Sequence, residues 1–284
     1  MKILVLGAAG MAGHVICLYL KSKGHDVSAF SRTKFPYCKS LIGDASNFVK
    51  LEEIVKKGKY DAVINCIGVL NNFAEEHKCN AVLMNSYLPH FLATITKDIP
   101  TKVVHMSTDC VFSGKMGGYI ETDFTDGTTF YDRSKALGEL NDSKNITFRN
   151  SIIGPDINKD GIGLFNWFMK QNGTINGYSK AIWTGVTTLT LAKAIEQSLD
   201  EDVAGLVNLV NNTSINKFEL LCLFNKYFRS SELCIVPSEA VYVDKSLVRT
   251  RMDFSFIVPS YEQMMVEMTE WVNANKSLYP HYFG

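Results

Sequence analysis

The sequence predicts an α/β chain: a doubly wound parallel sheet of Rossmann type followed by a smaller C-terminal α/β lobe. Three observations carry this. Strand-like apolar runs alternate with helical patterns through the first half. A glycine-rich turn, Gly7-Ala8-Ala9-Gly10-Met11-Ala12-Gly13, joins the first run to the first helix. After Arg149 the alternation loosens into a Gly-, Asn- and Asp-rich stretch, which is where a second lobe should begin.

Taken in order, Lys2 to Leu6 is a short run of strand formers, and Met11 to Lys23 has helical apolar spacing. The glycines between them therefore sit at a strand-to-helix turn. Glycine there permits positive φ and lets the backbone approach a pyrophosphate, which rests on the free N–H groups of the helix N-terminus. The spacing is G-x-x-G-x-x-G, one residue longer in its first gap than the commoner dinucleotide fingerprint. Gly7, Gly10, Met11, Ala12 and Gly13 are the expected phosphate contacts.

Further strands are expected at Asp26 to Phe30, Ala62 to Cys66, Lys102 to Met106 and Ile146 to Arg149. Helices are expected at Asn47 to Lys57, Cys79 to Thr96 and Tyr131 to Asn141. Beyond the Gly154 to Gly163 loop come an aromatic helix at Leu164 to Met169, a strand at Leu206 to Val210 and a helix at Lys217 to Phe228. The division is 1–150 for a nucleotide-binding domain and 151–284 for a substrate lobe, with segments near 180–215 returning to the first domain.

Composition narrows the partner. In 284 residues, 29 Lys and Arg balance 29 Asp and Glu, so no basic surplus exists to hold nucleic acid or an anionic membrane. No apolar run is long enough to span a bilayer. The apolar N-terminus is interrupted by glycines and His14, so it reads as strand, turn and helix rather than a secretory signal, and a cytoplasmic location is expected. Seven cysteines without a C-x-x-C pair suit reduced thiols, and six scattered histidines give no metal-ligand spacing, so no metal is expected.

The chemistry lies in Tyr131-Asp132-Arg133-Ser134-Lys135. Tyrosine and lysine four residues apart on a helix share one face. A nearby ammonium favours the phenolate, which would bring Tyr131 toward the operating pH of a general acid/base, and Lys135 can also reach a nicotinamide ribose. Upstream, Val103 to Met106 is a strand that runs into Ser107 and Thr108, placing hydroxyls at its carboxyl end, where open α/β sheets bind ligands. Thr108 can there hydrogen-bond a substrate carbonyl beside Tyr131.

With these residues the chain resembles the extended short-chain dehydrogenase/reductase family, in its dTDP-4-dehydrorhamnose reductase-like branch. The resemblance rests on Gly7 to Gly13, Gly43-Asp44, Asn65 to Gly68, Ser107 to Phe112, Tyr131 to Glu139, and Arg149 to Pro155. It implies a Thr108, Tyr131 and Lys135 catalytic set acting on a nucleotide-linked 4-keto-6-deoxy sugar in surface-polysaccharide biosynthesis. It also implies cofactor contacts at Asp44 and Ala45 near the adenine, and at Cys66, Ile67 and Gly68 on the ribose side. Asp109, Cys110 and Trp183 would border the substrate, and the protein is expected to pair as a homodimer.

Cofactor choice follows from the end of the second strand. Phe30-Ser31-Arg32-Thr33 has no acid for an adenosine 2′-hydroxyl, whereas Ser31 and Arg32 can receive a 2′-phosphate, so NADPH is expected ahead of NADH. Two other readings stay open. In the family's GDP-fucose synthases a cysteine at the position of Cys110 takes part in epimerisation, so a bifunctional epimerase/reductase is one. The other is a non-catalytic cofactor-binding subunit, since the branch also resembles the regulatory β subunit of methionine adenosyltransferase. Of the branch's Arg-Pro-x-x-Ser-x-Leu element only Ser246, within Lys245-Ser246-Leu247, keeps its place, with Tyr242 and Val243 at the Arg and Pro positions.

Overall fold

A computed structural model describes residues 1–283. The first half runs β1 (Lys2–Leu6), α1 (Met11–Ser22), β2 (Asp26–Ser31), β3 (Lys39–Ile42), α2 (Phe48–Gly58) and β4 (Ala62–Asn65). It continues through α3 (Asn71–Glu76), α4 (Lys78–Ala81), a π-helical turn (Val82–Tyr87), α5 (Leu88–Ile95), β5 (Lys102–Met106), α6 (Phe130–Ala136) and β6 (Ile146–Arg149). Then come β7 (Ser151–Ile153), α7 (Leu164–Met169), β8 (Thr174–Tyr178), β9 (Ala181–Trp183), β10 (Gly185–Thr187), α8 (Thr188–Asp200) and β11 (Gly205–Asn208). The chain continues through β12 (Ile215–Asn216), α9 (Lys217–Phe228), β13 (Cys234–Ser238), β14 (Val243–Asp244) and α10 (Tyr261–Ala274).

Seven strands form one parallel sheet in the order β11-β6-β5-β4-β1-β2-β3. The order reverses between β1 and β4, so the carboxyl ends of those two strands open the crevice where such sheets take ligands. Alternation along β1 builds both layers: Ile3 and Val5 pack with α1, α8 and α10, while Leu4 and Leu6 pack with Leu51, Val55, Leu88 and Leu92 on the other face. Helix starts are set by local chemistry. Asn47 accepts the Lys50 N–H for α2, Thr187 accepts the Thr190 N–H for α8, and capping boxes open α6 (Thr129 with Asp132) and α9 (Asn216 with Glu219).

Beyond α3, α8, α10, β7–β10 and β12–β14, for which the sequence carries no stated expectation, three elements differ from it. Strand β3 is a four-residue edge strand, Lys-Ser-Leu-Ile, too short for periodicity to reveal. The stretch expected as one helix from Cys79 to Thr96 contains the π-helical turn 82–87. The helix expected to reach Asn141 ends at Ala136, because Gly138 crosses the π-turn so closely that a Cβ would overlap the Asn85 carbonyl oxygen. No helix among the described residues is long and apolar enough to cross a membrane, and no group of three His, Cys, Asp or Glu among them could hold a metal ion.

Candidate active site

The glycine turn leaves β1 at the crevice. Gly7 is left-handed, with φ +79°, and a Cβ on Gly13 would overlap the Gly7 carbonyl, so helix α1 can begin this close to the strand only with glycine at both positions. Gly10 caps α1 without a side-chain hydrogen bond, and its first turn carries no acid, so the leading N–H groups remain available to an anion. Met11 lies over this entrance against Gly163, and Ala12 is half-buried beside the same core. Across the crevice stand Cys66, Ile67 and Gly68. A Cβ on Gly7 would come 3.1 Å from the Cys66 carbonyl, and the Ile67 N–H donates to Asn65 Oδ1 at 3.2 Å. Burial pushes the Cys66 thiol up to about 12.

At the end of β2, the Ser31 hydroxyl donates to the Thr33 carbonyl at 2.6 Å and Arg32 is exposed. Asp44 accepts from both the N–H and the hydroxyl of Ser46, which hold its carboxyl low, and the Arg32 charge adds to this. Ala45 is buried beside it.

Strand β5 delivers the hydroxyl cluster. Thr108 caps the short helical turn Asp109–Val111: its Oγ accepts the Cys110 N–H at 3.2 Å and donates to Asp109 Oδ1 at 3.1 Å. Tyr131 packs on Ala74, Ala81 and Cys110. Its phenol is pushed well above the usual range by burial first, then by the neighbouring Cys110 and Asp109, with the Thr108 hydroxyl opposing. The expectation that an ammonium lowers this phenol is therefore corrected: burial raises it, and the Lys135 ammonium, bonded to the Met106 carbonyl, is not among the groups that act on it. The Lys135 Nζ donates to the Met106 carbonyl at 2.5 Å, and burial brings it down to about 8 against the charges of Glu139 and Cys66. Cys110 is likewise pushed up to about 12, by burial and then by Asp109, so it is a neutral thiol at physiological pH. Asp109 is raised by burial, against the charges of Lys217 and Lys245.

Trp183 is 2% exposed, with its ring centroid 5.8 Å from that of Tyr261 and the Lys217 Nζ 5.0 Å above it. Its bulk belongs to the main core cluster, and its Nε1 has no hydrogen-bond partner.

Several positioning groups escaped sequence reasoning. In the π-turn, Asn85 accepts the Val69 N–H at 2.7 Å and donates to the Val69 carbonyl at 2.9 Å and to Ser134 Oγ at 3.0 Å. Ser86 donates to the Ser134 carbonyl at 2.7 Å. Together they clamp the middle of the Tyr131–Lys135 helix. The only signal in the sequence was an Asn-Ser pair inside an otherwise apolar helix. A second brace is the buried pair of Glu139 and Arg149, joined by two hydrogen bonds of 2.7 and 2.6 Å, with the Ser107 hydroxyl on the same carboxylate at 2.7 Å.

Comparison with known proteins follows the same lines. Residues 1–252 match the family model described as the RmlD substrate binding domain. Among curated proteins, the chain is 36% identical over 142 residues to dTDP-4-dehydrorhamnose reductase of Burkholderia thailandensis, covering 49% of this chain and 45% of that one. It is 29% identical over 144 residues to the enzyme of the same description from Mycobacterium tuberculosis, covering 49% and 44%. The chain thus matches slightly under half the length of these relatives. Among solved structures, dTDP-4-dehydrorhamnose reductase of Bacillus anthracis, in complex with NADP, superposes with a TM-score of 0.80 at 20% identity, covering 95% of this chain and 99% of that one. UDP-glucose 4-epimerase of Thermotoga maritima reaches the same TM-score at 15% identity, covering 97% and 100%, so these superpositions speak for the shared fold.

Proposed function

This chain belongs to the RmlD substrate binding domain family, and on that premise we propose that it reduces the 4-keto group of a nucleotide-linked 4-keto-6-deoxy sugar with NADPH. The observation that carries the reading is the convergence of Thr108 and Tyr131 at the end of β5, with Lys135 one turn further along α6, beside the glycine turn of β1. Relatives named as dTDP-4-dehydrorhamnose reductases, and a neighbour described with NADP, support it.

The residues fit such a cofactor. The bare first turn of α1 would take the pyrophosphate on the N–H groups of Met11, Ala12 and Gly13, while Ser31 and Arg32 would meet the 2′-phosphate and Asp44 and Ala45 the adenine side. Cys66, Ile67, Gly68 and Lys135 would border the nicotinamide ribose. When bound, the reduced nicotinamide supplies the hydride.

The chain's own part is the proton. Burial keeps the Tyr131 phenol protonated, so it holds the proton that the developing alkoxide needs. Thr108 Oγ lies beside that phenol and orients the carbonyl oxygen toward it. Lys135, still largely an ammonium at neutral pH, stabilises the phenolate left after transfer, moving from its bond to the Met106 carbonyl. Cys110, packed on Tyr131, and Asp109 beside it border the same site, with the thiol acting as a small apolar group.

The reading includes residues 1–150 as the cofactor-binding domain and 151–284 as the substrate lobe, with segments near 180–215 returning, together with action in the cytoplasm as a homodimer. Light scattering tests the dimer. The deciding experiment is oxidation of NADPH with a panel of dTDP-, UDP- and GDP-linked 4-keto-6-deoxy sugars. Substrate-dependent oxidation is expected; tight NADPH binding without oxidation by any donor would overturn the proposal.

A further inference from the structure

The glycine turn that opens α1 is tied to the far end of the chain. Gly10 has no side chain with which to cap its own helix, and its carbonyl accepts the His14 N–H at 3.1 Å as the first main-chain bond of α1. The His14 side chain adds a second bond to that oxygen, its Nδ1 lying 2.9 Å away. On the other side of the ring, Nε2 lies 2.8 Å from the Tyr279 hydroxyl, 265 residues on, and Trp271 Nε1 of α10 donates to the same hydroxyl at 3.0 Å. His14 and Tyr279 are fully buried. The Tyr279 ring is itself held, edge-on to His14 with centroids 5.7 Å apart and stacked on Tyr282 at 5.8 Å, whose hydroxyl accepts the Asp156 N–H at 2.9 Å.

The chemistry of these groups fixes the direction of every bond. A carbonyl only accepts, so Nδ1 carries the imidazole proton. Burial keeps the ring neutral, which leaves Nε2 as an acceptor and makes the Tyr279 hydroxyl its donor. An indole N–H only donates, so the hydroxyl oxygen accepts from Trp271. Three donors thus run head to tail from Trp271 through Tyr279 and His14 to the Gly10 carbonyl, and in such a chain each bond polarises the next. In a planar trans peptide the C=O and the following N–H point in opposite directions. A Gly10 carbonyl held toward His14 therefore turns the Met11 N–H the other way, out of the helix start, and polarising that carbonyl makes the N–H a stronger donor.

We propose that His14, Tyr279 and Trp271 are positioning residues of the cofactor site: their hydrogen-bonded chain aims and strengthens the Met11 N–H that meets the pyrophosphate. The inference rests on the NADPH reading above. It makes the C-terminal segment a determinant of dinucleotide affinity although none of its side chains in this chain of bonds touches the dinucleotide.

Tyr279→Phe keeps the ring and its contacts and deletes only the hydroxyl. Calorimetric titration of NADPH, NADH and adenosine 2′-monophosphate reads the effect without turnover. Loss of about one hydrogen bond's worth of aim and polarisation should weaken NADPH and NADH alike, about three- to tenfold, while adenosine 2′-monophosphate, which has no pyrophosphate, should bind as it does to wild type. His14→Asn, whose amide nitrogen takes the place of Nδ1, should bind NADPH closer to wild type than His14→Gln, which reaches toward Tyr279 instead. In the free protein the Met11 amide proton resonance should move upfield in Tyr279→Phe, as its peptide loses polarisation. Should that variant not fold, Trp271→Phe, which removes only the first donor from a half-buried ring, gives the same comparison at smaller amplitude. Wild-type NADPH affinity in the folded variants, or equal losses of NADPH and adenosine 2′-monophosphate, as general loosening gives, would overturn the positioning role and leave the reductase reading intact. Failure of the wild type to bind either dinucleotide would overturn both.

Discussion

Breaking the buried pair of Glu139 and Arg149 should cost more stability than any other single polar change near the site. The carboxylate is 10% exposed and the guanidinium 4%, and the pair is bidentate, with Ser107 Oγ as a third donor to Glu139. With Glu139 replaced by leucine, Arg149 keeps only the Glu121 carbonyl at 3.2 Å and the face of Phe112 at 5.0 Å. A buried charge left so poorly compensated costs about 3–5 kcal/mol, far above the 0–1 kcal/mol of an exposed pair. Arg149→Met should cost a similar amount, because it strands the carboxylate instead. The double variant Glu139→Leu/Arg149→Met removes both charges, and an apolar pair of similar volume should restore most of the loss. Urea unfolding followed by circular dichroism, with m-values compared across all four proteins, reads this cycle. Single variants costing under about 1 kcal/mol, or losses that simply add in the double, would refute the account of this brace.

Other consequences follow from the same groups. Tyr131→Phe should bind NADPH as wild type does and lose about 10²–10⁴-fold in kcat, the range for a removed general acid; unchanged turnover would exclude the phenol as proton donor. Burial holds the His14 imidazole down to about 4 from its usual 6.5, with both ring nitrogens bonded, to the Gly10 carbonyl and the Tyr279 hydroxyl. Below pH 6.5 the unfolded chain takes up a proton that the folded chain refuses, so this group's contribution to stability falls with acid, by about 2 kcal/mol at pH 5. The drop in unfolding free energy from pH 7 to 5 should accordingly be about 2 kcal/mol smaller in His14→Gln, and equal drops would contradict the assignment. Iodoacetamide at pH 8 should modify the exposed Cys79 and Cys234 well before Cys110, whose thiol burial keeps neutral; rapid labelling of Cys110 by peptide mapping would show a reactive thiolate instead.

What could be read in the sequence is what depends on neighbours along the chain. The glycine turn, the Tyr131–Lys135 spacing and the hydroxyls after β5 are each local patterns, and each falls at the crevice between β1 and β4 or beside it. What escaped depends on partners remote in sequence. Asn85 matters through Ser134, 49 residues away, and through Val69, and nothing in its own helix marks the π-turn that aims it. The reach of the Tyr131 helix was overstated for a related reason: Tyr131 to Asn141 has helical character, but Gly138 meets the Asn85 carbonyl, a contact made across the fold.

Burial at the head of α6 bears directly on which reaction the site favours. A reductase needs a proton already on its acid when the hydride arrives, whereas an epimerase needs a base to remove a proton beside the carbonyl. Desolvation disfavours every anion, so one dry pocket raises both the Tyr131 phenol and the Cys110 thiol, and Asp109 beside them adds to both shifts. The first shift equips Tyr131 to donate; the second disarms Cys110 as a base. To make Cys110 an acceptor the site would need a cation on the thiol, yet the strongest charge acting on it is that of Asp109, with Lys245 only third among the influences. An environment that serves proton donation at one residue therefore opposes proton abstraction at its neighbour, and that asymmetry favours reduction over epimerisation here.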